Sequence, residues 1–228
     1  MQKRQEKLLQ LIVENYLETA EPVGSSFLVE AEGLELSGAT IRNEMRDLEE
    51  QGFLTHPHTS AGRIPTELGY KYYIKNIMKA VQPKRKVQEK IKGFFKQENN
   101  QDKRLKIIGK QVAEYMNNTV IVSLDKDSLY YTGISNLFSQ AEFKDYEGAV
   151  NMSAMFDECE EKINDLYNTV QENEVKVLVG SENPLGEFCG SVAIKVGSCA
   201  LFVVIGPMRM NYGQAIGLLN YISNYLKD

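Results

Sequence analysis

The chain has 228 residues, 43% hydrophobic and 25% charged, with 26 Lys and Arg against 31 Asp and Glu. That composition excludes wholesale disorder, a collagen-like chain and a coiled-coil rod, and the length accommodates one or two domains. No apolar run approaches the roughly 18 residues that span a bilayer. The charged start, Met-Gln-Lys-Arg-Gln-Glu-Lys, is not a signal peptide, so a cytoplasmic protein without a membrane partner is expected. Cys159, Cys189 and Cys199 read as free thiols of a reducing compartment. The net charge of −5 is unevenly spread: residues 1–80 carry −3, residues 81–110 carry +7 and residues 111–228 carry −9.

In chain order, Leu8, Leu9, Ile12, Val13, Tyr16 and Leu17 recur at helical spacing and predict a helix over 2–18. Glu21-Pro22-Val23-Gly24 breaks it. Ser25 is expected to cap a short helix over 26–32 with Phe27, Leu28 and Ala31 inward, ended by Gly33. Ser37 is expected to cap a third helix to about Gln51, with Ile41, Met45 and Leu48 buried and Gly52 as its terminal turn. Two helices joined by a tight turn make a helix-turn-helix pattern. Phe53–His56, the polar tip Thr59-Ser60-Ala61-Gly62 and the return Arg63-Ile64-Pro65 predict a hairpin placed as a wing. Thr66 caps a helix over 66–80 with Tyr70, Tyr73, Ile74 and Ile77 on one face.

Residues 82–104 read as a basic linker, and helical character resumes over 104–117. Strands are expected at 119–124, 129–133, 175–180, 190–196 and 199–206, with a single helix over 150–172 and another over 211–226. The domain division is 1–80, a linker at 81–103, and 104–228.

With Ile41, Met45 and Leu48 inward, about 100° per residue turns Thr40, Arg42, Asn43 and Arg46 sideways or outward. They lie in the half of the helix that reaches base edges in this motif. Arg grips guanine O6 and N7, Asn grips adenine N6 and N7, and hydroxyls such as Ser37 and Thr40 suit phosphates or bases. At the wing, His58, Thr59, Ser60 and Arg63 suit a minor groove or the backbone. A solvated face would instead pair Arg42 and Arg46 with Glu49 and Glu50. The turn spacing and the wing behind it favour DNA, with Asp47, Glu49 and Glu50 further along, where phosphate repulsion matters less. Lys84, Arg85, Lys86, Lys90, Lys92 and Lys96 either track phosphates or offset two acidic flanks.

Enzyme chemistry finds no footing. The sequence has no Gly-rich phosphate loop, no Cys-x-x-Cys pair and no nucleophile elbow. The only two histidines, His56 and His58, are in the wing. No catalytic residue, cofactor or metal is expected. Cys189 and Cys199 read as apolar packing, and Arg209 as a partner for Glu182 or a backbone carbonyl.

Glu21-Pro-Val-Gly-Ser25, Ser37-Gly-Ala-Thr-Ile-Arg-Asn-Glu-Met45, Leu48-Glu-Glu-Gln-Gly-Phe-Leu54 and Pro57-His-Thr-Ser-Ala-Gly-Arg-Ile-Pro-Thr66 closely resemble the N-terminal winged helix of the HrcA family. Val179-Gly-Ser-Glu-Asn-Pro-Leu185 and Val204-Ile-Gly-Pro-Met-Arg-Met-Asn-Tyr212 resemble its C-terminal signatures. The resemblance implies an α+β protein, a winged helix-turn-helix followed by a GAF-like antiparallel sheet with helices. It implies a heat-inducible repressor of chaperone genes, bound as a homodimer to an inverted-repeat (CIRCE-type) operator, with a GroEL-type chaperonin as a further partner. Members of the family are longer and carry an inserted dimerising domain. Here strand 119–124 runs almost at once into Tyr130–Phe138, which resembles the segment after the insertion, so the insertion is expected to be missing. The candidate dimer surfaces are then the first helix, the Tyr70/Tyr73/Ile77 face and the C-terminal sheet. A ligand-sensing regulator controlled by the GAF-like part, and an interaction protein without operator binding, are the alternatives.

Overall fold

Helix α1 (Lys3–Thr19) turns Leu8, Leu9, Ile12 and Val13 into the core at 0% exposure, each worth about 1.5–3 kcal/mol over an exposed position. It ends at Ala20, whose left-handed backbone (φ 57°) returns its N–H to the Tyr16 carbonyl. In the computed structural model the described residues are 1–31, 36–58, 61–124, 128–144, 146–196 and 200–226. They form two compact units, Met1–Lys79 and Ala80–Asp228.

In the N-terminal unit α2 (Ser25–Glu30) begins one residue earlier than expected. Gly24 is its cap, and Ser25 lies inside the first turn without a capping hydrogen bond. Leu28 is buried, but Phe27 is 45% exposed, because six residues offer only one inward position per turn. The expected stop at Gly33 lies outside the described residues. Helix α3 (Gly38–Glu50) is capped by Ser37, whose Oγ accepts the Thr40 N–H at 3.2 Å. Ile41, Met45 and Leu48 are buried, and Gly52 closes the end at φ 80°, a conformation favouring glycine.

Strands β1 (Leu54–Thr55) and β2 (Ile64–Pro65) pair antiparallel. Val23 adds a third rung: its N–H and carbonyl exchange 2.9 Å bonds with those of Arg63. Gly62 allows this approach, since a Cβ there would lie 2.5 Å from the Val23 carbonyl. Helix α4 (Glu67–Asn76), capped by Thr66, is shorter than the expected 66–80. Tyr70 and Tyr73 are buried, and Tyr73 donates to Glu14 at 3.2 Å. Tyr70 and Tyr73 thus pack inside this unit, while Ile77, just past the end of the same helix, is half-buried.

The C-terminal unit corrects the linker. Residues Arg85–Gln97 form helix α5, with Ile91 1% exposed. Its inward positions Val87, Ile91 and Phe94 fall at helical spacing and anchor it, despite a charge density that reads as linker. Helix α6 (Gln101–Met116) follows, then β3 (Thr119–Ser123), β4 (Leu129–Thr132) and the short α7 (Ile134–Phe138). The expected helix 150–172 is two helices, α8 (Tyr146–Asp157) and α9 (Cys159–Thr169), which meet at Glu158, where φ −95° and ψ 0° open the turn at the margin of the helical region. Strands β5 (Val175–Val179), β6 (Cys189–Val196) and β7 (Ala200–Pro207) precede α10 (Tyr212–Leu226).

The five strands make one antiparallel sheet in the order β4-β3-β7-β6-β5. Alternation sends Ile121, Val203, Ile205 and Ala193 to one face, where Met152, Met155, Ile163 and Leu166 of α8 and α9 cover them. Val120 and Val122 face the other way, against Gly109 of α6, where an added Cβ would meet Val122 at 2.7 Å. Both faces of the central strands are thus covered within this unit.

Candidate nucleic-acid interface

Helix α3 turns Arg42, Asn43 and Arg46 away from its buried stripe, and this sets the site. Arg42, Asn43 and Arg46 are exposed, while Ile41, Met45 and Leu48 on the opposite side are buried. The hairpin folds back beside them because Arg63 is tied through its backbone to Val23. Between the start of α2, the outer face of α3 and the hairpin lies a concavity of about 500 Å³. Arg42, Asn43, Arg46 and Arg63 line it, together with Ser25 and Ser26 of α2. Three arginines and one asparagine thus line one hollow, a donor-rich set matched to phosphates and purine edges.

Ser37 and Thr40 stand apart from this hollow. Their hydroxyls lie 2.9 Å from each other at the start of α3. His58 is exposed in the hairpin, where its carbonyl accepts the Ala61 N–H at 2.8 Å. Thr59 and Ser60 lie outside the described residues. Sequence spacing missed Ser25 and Ser26. The only hint was their hydroxyl chemistry beside Gly24, which reads equally well as a cap.

The acidic end of α3 departs from expectation. Arg46 stands 3.7 Å from Glu50, too far for a hydrogen bond, with both side chains mostly in water; such a pair is worth little. Glu49 does not lie apart from the contact region. Its Oε2 accepts from Arg63 Nε at 2.8 Å and its Oε1 pairs with His56 Nδ1. The opposite, buried side of the helix carries Glu44, 4% exposed and paired with Arg4.

The C-terminal unit offers smaller hollows, of about 180, 190 and 320 Å³. Among the described residues no group of three or more His, Cys, Asp or Glu could hold a metal ion, and no helix is long and apolar enough to cross a membrane. Cys159 and Cys189 are buried thiols that desolvation pushes up, to about 11 and about 12; Cys199 lies outside the described residues. Arg209, expected beside Glu182 or a backbone carbonyl, makes its contacts to the loop after α7. It pairs with Glu142, donating through Nη2 to Oε2 at 3.1 Å, and reaches Gln140 at 3.0 Å. The loop after α7 brings those groups to it, a placement that linear spacing does not reveal.

The family described as HrcA protein C terminal domain matches residues 73–216. The chain belongs to the HrcA family. The heat-inducible transcription repressor HrcA of Carboxydothermus hydrogenoformans is 27% identical over 333 aligned positions, covering 99% of this chain and 97% of that protein. Since this chain has 228 residues, 333 positions leave at least 105 of the relative's without a counterpart here. The repressor of the same name from Symbiobacterium thermophilum is 59% identical over 75 residues, 33% of this chain and 22% of that one. A crystal structure of a hypothetical protein has the same fold, with a TM-score of 0.74 at 20% identity over 100% of this chain and 96% of that one.

Proposed function

We propose that this HrcA-family chain is a transcription repressor of heat-shock chaperone operons that binds an inverted-repeat, CIRCE-type operator as a homodimer. The N-terminal unit acts as a winged helix-turn-helix, with α3 as reading helix and the β1–β2 hairpin as wing. The C-terminal unit is a GAF-like domain without the inserted dimerising domain; the 105 unmatched positions of the relative support that reading. A two-fold operator asks for a two-fold protein, which places two reading helices about one helical turn apart or a multiple of it. Heat weakens the fold and frees the operator, and a GroEL-type chaperonin helps restore it.

The observation that carries this reading is the convergence of Arg42, Asn43, Arg46 and Arg63 on one hollow. Arg42, Asn43 and Arg46 reach base edges, and Arg63, with His58, Thr59 and Ser60, meets the backbone or minor groove. Ser37 and Thr40 sit where α3 starts and meet phosphate. The test is Arg42→Ala and Arg46→Ala, measured on operator and random duplex. Each base-reading arginine costs about 1–3 kcal/mol on the operator alone. Equal loss on both duplexes assigns that residue to phosphate, and no loss on either removes it from the interface.

A further inference from the structure

Glu49 occupies the last turn of α3, and its one carboxylate engages both legs of the hairpin. His56 directly follows β1, and Arg63 directly precedes β2. Arg63 is pinned at its backbone by two bonds to Val23, but its side chain keeps several rotatable bonds. Glu49 takes the guanidinium at Nε, the nitrogen nearest the stem, and Nη1 makes a long 3.4 Å contact to the Ala61 carbonyl. The head group is thus gripped from its stem side, and the residue lines the hollow shared with Arg42, Asn43 and Arg46. The carboxylate also places a negative charge beside a cation that would otherwise attract any phosphate.

We infer that Glu49 is a positioning residue for DNA selectivity. It fixes the direction of Arg63 relative to α3, and it offsets the Arg63 charge so that sequence-independent phosphate attraction is weakened. This rests on the operator-binding reading above. Withholding charge from the wrong partner is how a binding surface gains selectivity without gaining affinity. A free arginine that finds a phosphate steepens the log–log salt dependence by about 0.9; Glu49 suppresses that step on random DNA.

The experiment uses the full chain and four proteins: wild type, Glu49→Gln, Arg63→Gln and the double variant. Dissociation constants are read on the inverted repeat and on a random duplex across a salt series, with circular-dichroism melts alongside. Glutamine keeps the size and acceptor of Glu49 without its charge. Glu49→Gln is expected to bind random duplex about fivefold tighter near 0.15 M salt, as one more phosphate contact implies, and to lower the operator-to-random ratio. The double variant abolishes that gain. Arg63→Gln, with Glu49 intact, leaves the random-duplex slope unchanged and weakens operator binding. A Glu49→Gln protein with the wild-type ratio and slope overturns the inference. So does an Arg63→Gln protein whose random-duplex slope falls by about 0.9, since Arg63 is then a free phosphate cation. Parallel loss on both duplexes with a lowered melt makes Glu49 merely structural. A wild-type chain indifferent to the inverted repeat overturns the operator reading itself; a wild-type preference that Glu49→Gln leaves intact overturns only the role of Glu49.

Discussion

Arg4 of α1 and Glu44 of α3 form an ion pair, Nε to Oε1 at 2.5 Å, in which the carboxylate is buried and the guanidinium is half in water. The second oxygen of Glu44 has no hydrogen-bond partner among the described residues. The pair braces the face of α3 opposite Arg42, Asn43 and Arg46. Removing Arg4 leaves a buried, uncompensated charge. Losing one partner of a buried pair costs about 3–5 kcal/mol; discounted for the 55% exposure of Arg4, Arg4→Ala should cost about 2 kcal/mol in urea unfolding. The double variant Arg4→Ala/Glu44→Met should recover most of that loss, because an apolar side chain of similar size no longer needs the cation. A double variant as unstable as the single one would show that packing by the Arg4 stem, and not charge, is what matters.

Gly62→Ala tests the seat of the hairpin. Its Cβ would meet the Val23 carbonyl carbon and oxygen at 2.5 Å, and backbone on both sides cannot yield cheaply. Overpacking of this kind costs about 2 kcal/mol. In a unit of 79 residues that lowers the melting midpoint by roughly 10 °C. Binding to the operator should weaken as Arg63 is displaced. An unchanged melt would mean that the Val23–Arg63 rung is dispensable.

Asn183 shows how a family signature acts on folding. The residue is 5% exposed, donates through Nδ2 to the Cys189 carbonyl and accepts at Oδ1 from the Leu185 N–H and the Ser191 hydroxyl, each at 3.2 Å. Asn183→Ala orphans three buried groups at the start of β6 and in the turn before it. Each buried orphan costs about 1–3 kcal/mol, so calorimetry should show a large loss confined to the C-terminal unit. A loss below about 1 kcal/mol would mean that water or local rearrangement replaces all three bonds.

Much of this architecture is legible because its periods are clean. The runs at 119–124 and 190–196 are β-branched and bounded by turn residues, and strands form there. The break at Glu158 is invisible, because Met152, Met155, Cys159 and Ile163 keep helical spacing straight through it and no Gly or Pro interrupts them. Helix α5 hides behind its lysines, although Val87 and Ile91 fall at i and i+4. Within the site, the outward set Arg42, Asn43 and Arg46 follows from the inward stripe alone. The contributions of Ser25, Ser26 and Glu49 do not, since they depend on how the hairpin returns to α3. Burial of Glu44 is likewise illegible: a carboxylate is counted outward until a partner such as Arg4, forty residues away, is known to meet it.

The thiols give the C-terminal unit an alkaline limit. Desolvation holds Cys159 and Cys189 protonated, raising them from the usual 9.0 to about 11 and about 12. Above pH 9 the unfolded chain loses these protons while the folded one keeps them. The stability they contribute is therefore whole below pH 9 and is lost as pH climbs towards 11–12. Each thiol supplies a slope of up to about 1.4 kcal/mol per pH unit in that window. Cys189→Ala should flatten the fall of the melting midpoint between pH 9 and 10.5; an unaltered fall would mean that other groups set the limit.

The central claim is recognition of a two-fold operator by α3 and the hairpin. The most direct test is the dissociation constant of the full chain on a CIRCE-type inverted repeat against a duplex of the same composition with both half-sites scrambled, at one fixed salt concentration. The account predicts binding to the inverted repeat tighter by about 10³ or more, with two chains per duplex. Equal affinity for the two duplexes would contradict it.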